Sequence, residues 1–356
     1  MTYSTVEHGG QLNKVADRFN IPVQKWLDLS TGIAPFTYPI PTIPLTYWQQ
    51  LPQPCSALGQ AAAHYYTQGL VTQNLTKVCA KNFLASHGSQ HVIQHLPILW
   101  RQHNPHSQSV FVPASGYTEH KKSWAAAGFN ITHYTQLPNP SKLPMNSVVV
   151  LINPNNPTGQ LTALEHIHTL LAALEKKQGL LVVDEAFMDT VHPSQSALTL
   201  INSPAVIILK SMGKFFGLAG MRLGFVAAHH YWVNKLHSLL GPWPVNGPAQ
   251  YVGLVALKDQ HWQAQQYQKL HQQATQLEHL LSRYFNESHN TITGTLLFKS
   301  VSTPYATHLF EQLCLQGIYV RLLDDESGLR FGLPNDKGLV RFSHALEHLR
   351  INDCLF

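Results

Sequence analysis

Between about residue 75 and about residue 230 the chain alternates short β-branched runs, at residues 109–112, 148–152, 180–183 and 206–209, with longer amphipathic stretches. Each gap leaves room for a crossover helix, so the runs read as strands of a mostly parallel sheet built from βα units. Residues 180–183 (LLVV) are apolar on both faces, as in a strand covered by helices on each side. The run ends in Asp184-Glu185, and polar residues at such strand ends face a ligand crevice.

Beyond this core, residues 259–284 are Gln-rich, lack Gly and Pro, and place Leu270, Leu277 and Leu281 at helical spacing. They predict one long helix. A strand near residues 295–301, a helix near 304–316, strands at 318–322 and 329–333 and a last helix make a small α/β domain. The proline-rich first 45 residues have little periodicity and read as an extended arm, and no internal repeat is evident. The expected division is an arm over 1–45, a large domain over 46–245, and a connecting helix with the small domain over 246–356.

Composition narrows the function classes. At 356 residues, with 44% hydrophobic and 12% charged, the chain can bury a large core and is not disordered. The net charge of +5 is scattered, with Lys121-Lys122 and Lys176-Lys177 the nearest approach to clusters, so no nucleic-acid partner is expected. Cys55, Cys79, Cys314 and Cys354 form no CxxC pair, and a reducing cytoplasm is the default. No signal peptide or membrane span is expected. The 22 histidines are unusual. His87, His91 and His95 are spaced by four, but His87 precedes Gly88 and no carboxylate or cysteine joins them, so no metal is expected.

Four motifs carry chemistry. Asn153-Pro154-Asn155-Asn156-Pro157-Thr158-Gly159 follows an apolar strand; it is either an ordinary turn or a proline-locked loop that offers the Asn156 amide to a ligand. Asp184 either caps the next turn or stabilises a protonated ring nitrogen on a cofactor. Lys214 is followed by Phe-Phe-Gly-Leu-Ala-Gly, an apolar setting in which an amine can lose its proton and condense with an aldehyde. Ser211 and Arg222 flank it with a hydroxyl and a guanidinium fork suited to phosphate. Gly88-Ser89-Gln90 opens an amphipathic helix, whose first amides attract anions.

Taken in order, these pieces resemble the fold type I pyridoxal-phosphate enzymes of the aminotransferase superfamily, over essentially the whole chain. The resemblance implies an α/β fold with a three-layer large domain around a mostly parallel mixed sheet, a small α/β C-terminal domain, and a homodimer. It implies pyridoxal 5'-phosphate as cofactor, carried by Lys214, with Asp184 at the pyridinium nitrogen and Asn156 at the ring's 3-oxygen. Gly88, Ser89, Gln90, Ser211 and Arg222 would hold the cofactor phosphate. Tyr117, in Pro113-Ala114-Ser115-Gly116-Tyr117, matches the aromatic that stacks on the ring. Phe187 stands where many members carry a tyrosine that reaches the 3-oxygen.

Within the superfamily, His8-Gly9-Gly10, the stretch Asp28-Leu29-Ser30-Thr31-Gly32-Ile33 and Pro242-Trp243-Pro244 resemble the threonine-phosphate decarboxylases of cobalamin biosynthesis. Gln11 stands where that family commonly has Asn. The resemblance implies decarboxylation of a small phosphorylated amino acid, L-threonine O-3-phosphate, to 1-amino-2-propanol phosphate. His8, Gly9, Gly32, Asn156, Arg321 and Arg330 would contact substrate, Arg330 at its carboxylate. A histidinol-phosphate-type aminotransferase shares Asn156, Asp184, Lys214, Arg222 and Arg330 and stays open as the alternative; a cofactor-binding regulator without catalysis is a third reading.

Overall fold

The computed structural model describes residues 9–70, 78–285 and 290–351. They fall into two compact units. One comprises residues 37–156 and 160–263; the other gathers the N-terminal residues to Phe36, residues 157–159 and the chain from Ala264 onward. Helix Gly247–Lys258, expected with the small domain, belongs to the first unit, where it packs on helix Ser56–Thr67.

The first unit is built on a seven-stranded sheet in the order Phe83–Ser86, Gly224–Ala228, Val206–Ser211, Leu180–Asp184, Val148–Ile152, Ser109–Pro113, Asn130–Tyr134. Gly224–Ala228 runs antiparallel to both neighbours, and the other pairings are parallel. Strands 148–152 and 180–184 are buried at every position. Because side chains alternate along a strand, Val148, Val150, Leu180, Val182, Ile207 and Leu209 share one face. That face packs on Val92, Ile93, Leu96, Leu99 and Trp100 of helix Gly88–His103. Leu181 and Val183 point the other way, and helix Leu164–Lys176, which buries Ile167, Leu170, Leu171 and Leu174, packs against their strand. The result is the three-layer arrangement. Counting on by twos, Ile152, Asp184 and Ser211 end their strands on the face of the 88–103 helix.

The second unit holds an antiparallel four-stranded sheet in the order Arg321–Leu322, Gly328–Gly332, Phe298–Ser302, Thr291–Gly294. Helices Ala306–Leu315 and Asp336–Ile351 belong to it. The single strand expected at 318–322 is two: Ile318–Tyr319 pairs in parallel with Leu27–Asp28, whereas Arg321–Leu322 joins the larger sheet. The split lets one short stretch serve both the N-terminal segment and the C-terminal sheet. Gly332 N donates to Leu29 O at 2.6 Å, an approach that a side chain at 332 would block. No helix among the described residues is long and apolar enough to cross a membrane.

Candidate active site

The C-terminal ends of the parallel strands and the start of the 88–103 helix enclose a pocket in the first unit. Gly88, Ser89, Gln90, Tyr117, Asn156, Asp184, Ser211, Lys214 and Arg222 all line it. Local chemistry explains each placement. Gly88 begins its helix at φ +68°, a left-handed conformation that favours glycine. Ser89 and Gln90 follow in the first turn, where amide N–H groups have no partner within the helix and the helix dipole is positive. Arg222 also adopts a left-handed conformation, at φ 55°, after the turn Ala219–Met221. Its guanidinium passes close to Gly88, where an added Cβ would sit 3.0 Å from Nη2. Gly224 completes the approach: a Cβ there would meet Ser89 N at 2.9 Å and Lys210 O at 2.6 Å. Helix start, Arg222 and Ser211 thus form one wall suited to a phosphate dianion.

Asp184 is 4% exposed. Its Oδ2 lies 2.9 Å from His120 Nε2, and its Oδ1 accepts from Ala186 N at 3.1 Å. A buried carboxylate supported from behind by an imidazole suits a protonated heteroaromatic nitrogen. His120 was not singled out from sequence. The available signal was its place three residues after Tyr117, one turn along helix Thr118–Ala126.

Tyr117 precedes that helix and donates its hydroxyl to Gln90 Oε1 at 2.9 Å, while Gln90 Nε2 donates to Glu119 Oε2 at 2.8 Å. The Gln90 side chain therefore holds Tyr117, and its place at the helix start leaves its backbone N–H for an anion. Burial, reinforced by the Glu119 and Asp184 carboxylates and opposed by Arg222, pushes the Tyr117 phenol up to about 12. It stays protonated at neutral pH and can keep its hydrogen bond.

The Lys214 Nζ lies 5.5 Å from the centre of the Phe187 ring. That face excludes water and attracts the ammonium form, but brings no hydroxyl. Phe215 and Phe216 beside it are buried. Asn156 reaches the pocket from a loop pinned by Asn153, whose side chain donates to Thr162 O and accepts from Thr162 N. The pocket thus combines an amine in an apolar setting, a buried carboxylate, an amide side chain and a cationic phosphate wall. This donor set fits a phosphorylated pyridine aldehyde.

The remaining site residues lie in the second unit. Arg330 is 7% exposed, donates to Ser30 O at 2.5 Å, and faces the Phe298 ring. Burial and the neighbouring Arg321 lower its guanidinium to about 10, so it remains a cation at neutral pH. Arg321 forms an ion pair with Asp324. Gly32 is buried, and Gly9 packs against the Ser30 backbone. His8 lies outside the described residues. On the 88–103 helix the His91 and His95 rings are 4.6 Å apart, and among the described residues no group of three or more His, Cys, Asp or Glu is arranged to hold a metal ion.

Residues 51–331 match the family model described as aminotransferase class I and II. The chain is 37% identical over 332 residues to a threonine-phosphate decarboxylase from Pseudomonas aeruginosa, covering 93% of this chain and 94% of that one. It is 34% identical over 351 residues to a threonine-phosphate decarboxylase from a Sinorhizobium species, covering 97% and 99%. Among solved structures, the histidinol-phosphate aminotransferase from Sinorhizobium meliloti in complex with pyridoxal-5'-phosphate superimposes with a TM-score of 0.74 at 16% identity, over 99% of this chain and 98% of that one. At that identity the likeness shows the fold alone.

Proposed function

Because the chain belongs to the class I and II aminotransferase family, we propose that it is a pyridoxal-phosphate-dependent decarboxylase. Its proposed reaction converts L-threonine O-3-phosphate to 1-amino-2-propanol phosphate and CO2, in cobalamin biosynthesis. One observation carries the cofactor assignment: Lys214, Asp184, Asn156 and the Gly88–Arg222 phosphate wall line one pocket. The substrate assignment rests on the two decarboxylase relatives, each matched over nearly its whole length.

When bound, pyridoxal phosphate supplies an aldehyde that joins an amine and a ring that draws electrons from the bonds at the substrate's Cα. Arg222, Ser211 and the amides of Ser89 and Gln90 would bind its phosphate. Asp184, backed by His120, would keep a proton on the ring nitrogen, and Asn156 would donate to the 3-oxygen. Tyr117 would stack on the ring. Arg330, a buried cation of the second unit, would be the group that binds the substrate carboxylate. Arg321, with His8 and the Gly9 and Gly32 backbone, takes the substrate phosphate. The Lys214 amine would hold the proton that is returned to the substrate's Cα.

We infer a homodimer. Ile40, Leu45, Trp48 and Leu51, each well exposed within one short stretch, offer an apolar surface that a second copy would cover. We place the enzyme in the cytoplasm, in keeping with its scattered cysteines.

The cofactor assignment is tested by titrating purified protein with pyridoxal phosphate and following visible absorption. Wild type should develop the band of a lysine-bound cofactor, and Lys214→Ala should not. A band that survives the substitution would remove Lys214 from the reading.

A further inference from the structure

Behind the pocket lies a buried ion pair that none of the steps above uses. Lys210 Nζ and Glu185 Oε2 are 2.5 Å apart, with side chains 2% and 0% exposed. The second Glu185 oxygen accepts from Ala197 N at 2.7 Å, and Oε2 also accepts from Ser196 Oγ at 2.5 Å. Lys210 Nζ adds a hydrogen bond to Ser196 Oγ at 3.3 Å and lies 4.9 Å from the centre of the Tyr66 ring. Every charge in the pair is therefore compensated.

The place of this pair in the sheet gives it a task. Glu185 directly follows Asp184, and Lys210 directly precedes Ser211; side chains alternate, so the pair faces away from the two pocket residues. Backbone pairing between the two strands ends here: Asp184 is matched with Leu209, and the last bond runs from Glu185 N to Leu209 O at 2.9 Å. Beyond that point the chain after Glu185 turns away, and only the side-chain bridge continues the ladder. The Lys210 carbonyl also packs under Gly224, which in turn supports the Ser89 amide. A shift of Lys210 would therefore reach the carboxylate end and the phosphate end of the pocket together.

We propose that Glu185 and Lys210 are positioning residues, a buried clamp that fixes Asp184, Ser211 and the helix start at Ser89 in their relative places for the cofactor. The proposal rests on the functional reading above. A buried ion pair is weak evidence for stability, because replacing one with well-packed hydrophobic residues of similar volume is often neutral or stabilising, whereas removing one partner strands a charge. Precise sites, by contrast, need a supporting shell.

The test uses the full chain and the double variant Glu185→Gln/Lys210→Met, with Lys210→Arg as the conservative rescue and Ser196→Ala as a milder perturbation. Pyridoxal-phosphate affinity by equilibrium dialysis, the pH midpoint of the visible band, kcat and KM for phosphothreonine, and the denaturation midpoint without cofactor are measured for each. The clamp predicts that the double variant unfolds at the wild-type denaturant concentration, binds pyridoxal phosphate about tenfold more weakly, shifts the band's midpoint and loses kcat with KM nearly unchanged. Lys210→Arg, which keeps a cation opposite Glu185, should retain most of the wild-type affinity and kcat, and Ser196→Ala should weaken affinity about threefold. Unchanged affinity and band in the double variant, or in Ser196→Ala should the double variant not fold, overturns the clamp alone. A wild type that takes up no pyridoxal phosphate overturns the functional reading, and the clamp with it.

Discussion

In the proposed reaction Asp184 and Lys214 would carry the chemistry because of what surrounds each. Asp184 presents a charge that the fold has desolvated and tied to His120 and to the Ala186 amide. Asp184→Asn keeps the shape but removes that charge. It should lower kcat/KM by roughly 10²–10³-fold, the size of effect seen when one preorganised electrostatic group is lost, while leaving the denaturation midpoint near wild type. Steady-state kinetics and chemical denaturation read the two effects separately. Asp189 makes a different prediction. It lies near Lys210 and Glu185 and bonds Tyr65, and burial, which outweighs the nearby Lys210, pushes its carboxyl up to about 7 from an ordinary value of 3.8. As pH rises between those values the unfolded chain loses this proton while the folded protein keeps it, so the group's contribution to stability falls and is gone once pH passes the folded value. Denaturant titrations at pH 4.5 and 7.5 should show Asp189→Asn gaining on wild type at the higher pH; parallel changes in the two proteins would contradict the assignment.

At the scale of elements, the pocket depends on a helix whose first residue is left-handed. Gly88→Ala would place a methyl group in that conformation at a cost of about 1–2 kcal/mol and press it against the Arg222 guanidinium. The variant should fold yet bind pyridoxal phosphate about tenfold more weakly, with pyridoxal, which lacks the phosphate, affected far less; fluorescence titration distinguishes the two ligands. This helix start was legible because Gly-Ser preceded an amphipathic run, and the buried strands were legible because their β-branched runs have no polar break. Other strands escaped notice for physical reasons. Asn130–Tyr134 is an edge strand, mostly exposed and accordingly polar. Gly224–Ala228 is apolar and buried throughout, but it is short, ends in two alanines and begins at a glycine, where the 88–103 helix start approaches closely. Residues 318–322 look like one strand, and only the three-dimensional pairing reveals that two sheets share them.

At the scale of the whole molecule, the motifs flagged one by one in sequence line one pocket because the strand order brings their strand ends together. Supports distant in sequence could not be read that way. His120 meets Asp184, Gln90 meets Tyr117 and Glu119, and Lys210 meets Glu185 only once the sheet is assembled. The scattered positive charge now has local meaning, since Lys214 and Arg222 face the pocket, while Arg330 is buried in the other unit. Family membership and the pocket account for the cofactor, and the choice among reactions rests on what happens to the substrate carboxylate. The decisive measurement is therefore carboxyl-labelled L-threonine O-3-phosphate incubated with the cofactor-loaded protein, with and without 2-oxoglutarate. The account predicts labelled CO2 and 1-amino-2-propanol phosphate in equal amounts, independent of 2-oxoglutarate and abolished in Lys214→Ala. Retention of the label in a keto acid, formed only when 2-oxoglutarate is present, would make the protein an aminotransferase and contradict it.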